Sequence, residues 1–178
     1  MVELVVVLAL LGIVAGAVTS LVGWGFRQQA VVEQQESEQE AVHQGLSRLA
    51  DLIRRAGAAG RPAIQAGAPD SIDLRGFTRP PSWAGSATVH VSLDPTGRLV
   101  ATVQGGNTAV VDLVPGARFR ELRFGYAAAG RGDPAPSCGS AGDSLPCARV
   151  SAVEVTLGAA GSGEEESLWV ALRNPGGQ

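Results

Sequence analysis

Residues 1–26 read MVELVVVLALLGIVAGAVTSLVGWGF, a run whose single charge is Glu3, with the next charged side chain at Arg27. The 23 residues from Leu4 to Phe26 carry no charge, and a helix needs only about 20 predominantly apolar residues to cross a bilayer. The run therefore reads as a membrane span. Val5, Val6, Val7, Ile13, Val14, Val18 and Val22 are β-branched, but lipid forces the backbone to satisfy its own hydrogen bonds, so helix wins. A cleaved secretory signal fits less well, since its apolar core spans about 7–15 residues behind a basic start. Gly12, Gly16 and Ala17 would let another helix come close, although span composition alone accounts for them equally well. An acid deep in a bilayer costs roughly 2.5–3.5 kcal/mol on insertion scales. Glu3 is thus either a snorkelling end residue or an acid kept for a partner, an amine being the simplest one.

Residues 27–60, RQQAVVEQQESEQEAVHQGLSRLADLIRRAGAAG, contain no proline and few helix breakers before Gly57. The helix is expected to continue. Val42, Leu46, Leu49, Ile53 and Ala56 recur at spacings of four and three, which makes one apolar stripe on an otherwise polar helix. From Val2 to Ala56 such a helix would extend roughly 80 Å, half in lipid and half packed on a domain. The acidic stretch EQQESEQE reads as a solvated neck, and Pro62 is expected to end the helix after a Gly-rich exit.

Beyond Pro62 the pattern changes to short β-rich runs separated by Gly, Pro, Asp and Asn clusters: SIDLR, ATVHVSL, RLVATVQ, TAVVDLV, RELRFGYA, RVSAVEVTL and SLWVALR. ATVHVSL and RLVATVQ flank DPTG as a hairpin. Val89, Val91 and Leu93 alternate with Thr88, His90 and Ser92, and Val153, Val155, Leu157 and Leu168, Val170, Leu172 repeat the period of two. The expected fold is α+β: a long N-terminal helix, membrane half plus amphipathic half, packed on an antiparallel β-sheet. The expected division is 1–26 for the membrane half, 27–61 for the amphipathic half and 62–178 for one β-rich domain, a length typical of single domains.

These residues carry a resemblance. VELVVVLALLGIV at 2–14 resembles the mature start of type IV pilins and pseudopilins, in which a glutamate precedes a long apolar helix. Met1, Val2, Glu3 and Leu4 match the third to sixth mature residues of that pattern; the basic leader, its glycine and the first two mature residues have no counterpart here. A missing basic leader would also explain why Arg27, beyond the span, is the only nearby basic residue, where topology rules place Lys and Arg on the cytoplasmic side. GLSRLADLIRRAG at 45–57, LRFGY at 122–126, VSAVEVTL at 150–157 and WVALRN at 169–174 are similar to the W-type minor pilins of type IV pili and to the J-type pseudopilins of type II secretion.

The resemblance implies a pilin-like fold and a non-catalytic filament subunit that helps initiate or cap a pilus serving adhesion, motility or DNA uptake, or else a secretion pseudopilus. Glu3 would neutralise the N-terminal amine of a neighbouring subunit, while Val2, Leu4, Val7, Leu8, Leu11, Gly12, Val14 and Gly16 would pack in the helical bundle. The implied partners are major and minor pilins or pseudopilins, the inner-membrane assembly platform and a prepilin peptidase. No cofactor is implied. The implied location is the bacterial inner membrane as a single-pass protein with a cytoplasmic N-terminus before processing, then the pilus or pseudopilus. The alternative from another class is a signal-anchored periplasmic binding domain that never polymerises.

Other constellations are weaker. Cys138 and Cys147 flank a Gly-, Ser-, Asp- and Pro-containing loop in what would be an oxidising compartment, so a disulfide is expected. Zinc is not expected, because His43 and His90 are the only histidines and sit on different elements. No G-x-S-x-G elbow, H-E-x-x-H helix or phosphate loop appears, which argues against an enzyme. Arg131-Gly132-Asp133 spells an adhesion tripeptide that a Gly-rich loop produces by chance, and Glu164, Glu165 and Glu166 lack the spacing of a calcium loop. All 14 basic residues are Arg and the net charge is −3, so nucleic acid would need a local patch. Arg118, Arg120 and Arg123 cluster with Glu121 among them, and no specific nucleic-acid site is expected.

Overall fold

A computed structural model describes residues 2–57, 63–77, 88–104, 109–129, 133–139, 145–161 and 163–172; along the helix, the side chains of 2–10, 13, 14, 22, 25–28 and 30 lie outside the description. The chain divides into two compact units, Met1–Ser37 and Glu38–Gln178. Helix α1 covers Val2–Arg55, so the first unit is helical throughout its described residues and the second begins with the last part of α1.

Ten strands follow: β1 (Ile64–Gly67), β2 (Ser71–Leu74), β3 (Thr88–Leu93), β4 (Leu99–Gln104), β5 (Val110–Asp112), β6 (Phe119–Ala128), β7 (Cys138–Gly139), β8 (Leu145–Pro146), β9 (Val150–Ala159) and β10 (Glu165–Ala171). They form a seven-stranded sheet in the order β5-β4-β3-β2-β1-β7-β8 and a three-stranded sheet in the order β10-β9-β6. All pairings are antiparallel except β7 with β8, which is parallel.

This corrects the expected α+β architecture of a long N-terminal helix packed on one antiparallel sheet. The folded unit is mostly β and has two sheets. Its described helical content is short: residues 38–55 of α1 and a 3-10 turn, Cys147–Arg149. Two causes produced the difference. Period-two alternation reports which residues of a strand are buried but not which sheet the strand joins. In addition, β1, β7 and β8 are too short to announce themselves as alternating runs.

The apolar stripe is where the spacing placed it: Val42, Leu46, Leu49, Ile53 and Ala56 are buried in one core with Val89, Val91, Val153, Val155, Leu157 and Val170. Gly45 lies on the same face. A Cβ there would come within 2.6 Å of Leu157 Cδ2, so the glycine permits close approach of helix to sheet. The helix stops at Arg55, and Gly57 takes a left-handed φ of 83° while its N–H donates to Arg75 O at 3.0 Å. A left-handed glycine just past the last turn is a common helix terminator. Pro62, expected to end the helix, lies outside the described residues.

The two sheets meet along β6. Phe124 N donates to Pro69 O at 2.7 Å and Phe119 N donates to Gly97 O at 2.7 Å. Tyr126 on β6 is fully buried, and its hydroxyl donates to Ala68 O (2.9 Å) and Ser71 O (3.2 Å), pinning the β1–β2 turn. Burial, with a smaller contribution from Asp73 and Asp70, pushes its pKa far up, so the phenol stays a protonated donor.

Candidate functional site

On α1, Leu11, Gly12 and Gly16 are exposed, and a Cβ at either glycine would meet nothing within 4 Å. Val2, Glu3, Leu4, Val7, Leu8 and Val14 lie on the same helix, but their side chains are outside the described residues. Leu11, Val18, Leu21 and Trp24 are exposed large apolar side chains of this unit. Thr19 Oγ1 donates to Ala15 O and Ser20 Oγ to Ala17 O, each at 2.8 Å, so both hydroxyls are satisfied by the helix itself. Among the described residues no helix is long and apolar enough to cross a membrane.

Cys138 and Cys147 form a disulfide with a Cα–Cα distance of 4.9 Å. It ties β7, which pairs with β1 at Gly67, to the 3-10 turn that leads into β9. The bond thus fixes β7 of the seven-stranded sheet to the turn through which the chain passes from β8 into β9 of the other sheet.

The β3–β4 turn is built around Asp94. Its carboxylate accepts from Thr96 N (2.8 Å), Thr96 Oγ1 (2.7 Å), Arg98 N (2.9 Å) and Arg98 Nε (2.6 Å). The backbone hydrogen bond from Arg98 is the largest of the causes that hold this carboxyl far below the ordinary range. On β3, His90 Nδ1 and Asp73 Oδ1 lie 2.7 Å apart on the outward face of the seven-stranded sheet.

Two of the three clustered arginines are engaged with acids, while Arg118 Nη1 donates to Ala117 O at 3.0 Å. Arg120 Nη2 donates to Glu165 Oε1 (2.8 Å) and Gly163 O (3.1 Å), and Arg123 pairs with Glu121. Glu164, Glu165 and Glu166 line a cleft of about 500 Å³ with Gln39, Val42 and His43. Among the described residues no group of three or more His, Cys, Asp or Glu could hold a metal ion. Arg131 and Gly132 of the tripeptide are outside the described residues.

The outer face of the three-stranded sheet was not singled out by sequence reasoning. Gly125 stands opposite Glu154, and Glu154 opposite Trp169; the next row is Ala127, Ala152 and Ala171. Trp169 is 47% exposed. The signal was present, since the alternation that puts Val153, Val155 and Val170 inside puts Glu154 and Trp169 outside, but it needed the register to bring them side by side.

No family model and no curated protein sequence matches this chain.

Proposed function

We propose that the chain is a non-catalytic minor subunit of a type IV filament machine, held in the inner membrane by its apolar helix and later drawn into a pilus or pseudopilus. The observation that carries this reading is the placement of one acid, Glu3, ahead of 23 uncharged residues from Leu4 to Phe26. An acid so placed is retained against its insertion cost when a partner amine awaits it. The exposed Leu11, Val18, Leu21 and Trp24 and the self-satisfied hydroxyls of Thr19 and Ser20 support a helix suited to apolar surroundings. In this reading the apolar helix joins a bundle of like helices, Glu3 neutralises a neighbour's terminal amine, and the β-rich unit faces outward.

The test is recovery of the chain, wild type against Glu3→Ala, in sheared surface fibres and in membranes of the native host. The reading requires the wild type in the fibre fraction and the variant depleted there while its membrane level holds. Filaments confined to the envelope together with impaired protein secretion would assign a pseudopilin. A chain that never leaves the membrane, with or without Glu3, would instead be a tethered periplasmic binding domain.

A further inference from the structure

The three-stranded sheet has two edges, and they are not alike. The β6 edge is covered: Phe124 N bonds Pro69 O, and Tyr126 and Ala135 exchange N–H···O bonds at 2.8 Å in both directions. The β10 edge is open among the described residues. Leu172 N donates to Ser151 O and Ala159 N to Glu164 O, which sets the phase of the ladder: in an antiparallel pair, alternate residues exchange hydrogen bonds with the neighbour. Leu168 and Val170 therefore turn their N–H and C=O toward β9, while Ser167, Trp169 and Ala171 turn theirs outward.

The same three residues place their side chains on the outer face, in register with Thr156, Glu154 and Ala152. Trp169 there is a half-exposed aromatic beside Glu154, a carboxylate with no ion pair among the described residues. Gly125, on the far side of Glu154, leaves room for it: a Cβ there would lie 3.3 Å from Glu154 Oε2 and 3.1 Å from Pro134 Cβ. Among the described residues the arginines of this face are engaged elsewhere, Arg123 with Glu121 and Arg120 with Glu165. A free strand edge is a template for another strand, and an aromatic face next to a carboxylate attracts a cation.

We propose that β10 is a docking edge for an extended basic segment of a partner protein. The segment adds as a fourth strand to Ser167, Trp169 and Ala171, with an arginine or lysine opposite Trp169 laid across the indole and its charge on Glu154. Strands stand about 4.8 Å apart, so the β9 backbone lies roughly 10 Å from the added strand; Glu154, whose Oε2 rests over Gly125, turns toward β10 to meet a cation that only a long side chain can bring there. This inference is independent of the filament reading.

The test uses the full chain in detergent micelles and calorimetric titration with the blocked peptide Thr-Val-Thr-Arg-Thr-Val-Thr, its citrulline analogue and its glutamate analogue. The arginine peptide is expected to bind at least about tenfold more tightly than either analogue. Glu154→Gln should bring it to the citrulline level. Ala171→Pro should remove an outward N–H, weakening all binding while the β9 pairing and circular dichroism stay unchanged. Absence of binding, equal binding of the three peptides, or indifference to Glu154→Gln would overturn the proposal. So would concentration-dependent self-association abolished by Ala171→Pro, which would give the edge to a second copy.

Discussion

Single residues decide how the β3–β4 hairpin closes. Gly97 holds φ at 77°, and a Cβ there would sit 2.6 Å from Phe119 O, the backbone that bonds back to it. Gly97→Ala should therefore cost about 1–3 kcal/mol for the left-handed backbone alone, before the collision is counted, and chemical denaturation measures the loss. Asp94 in the same turn gives a pH signature. Its carboxyl is held far below the ordinary range in the folded state, so the stability it contributes is present above the ordinary carboxylate pKa and lost as pH falls below it. Asp94→Asn should flatten the acid limb of the melting temperature against pH, and a limb as steep as that of the wild type would count against the assigned hydrogen bonds. At Tyr126, replacement by Phe should cost about 1 kcal/mol, because burial keeps the hydroxyl donating to Ala68 O and Ser71 O.

Elements are joined by a few contacts whose removal has calculable effects. Leu49 is fully buried on the last part of α1, and Leu49→Ala should cost about 2–5 kcal/mol, depending on how far the two sheets close over the gap. The Cys138–Cys147 bond closes a short loop with a sequence separation of 9. Reduction should cost roughly 2.5–3 kcal/mol by the loop-entropy account, seen as a lower unfolding midpoint in the presence of dithiothreitol. Much of this scale was legible beforehand. The buried stripe of Val42, Leu46, Leu49, Ile53 and Ala56 and the inward valines of β3, β9 and β10 follow from periods that burial imposes on helices and strands. Gly45 was not, since a missing side chain leaves no trace in a hydrophobic period.

At the scale of the molecule, the core belongs to the second unit, Glu38–Gln178. A chain lacking residues 1–37 should fold and unfold cooperatively, with a melting midpoint close to that of the full chain in micelles; a broad, uncooperative transition would show that the helical unit is needed for the β-rich unit to fold.

The sequence by itself determined which residues are apolar and with what period, that Cys138 and Cys147 flank one short loop, and that Glu3 is isolated ahead of an uncharged run. Those are properties of the chain read locally. Only the tertiary structure decided that the strands divide between two sheets, that among the described residues β6 is covered while β10 is open, and that Trp169 stands beside Glu154. The reason is physical: strand pairing and register are set by contacts between residues far apart in the chain, and a period of two is the same whichever neighbour a strand takes.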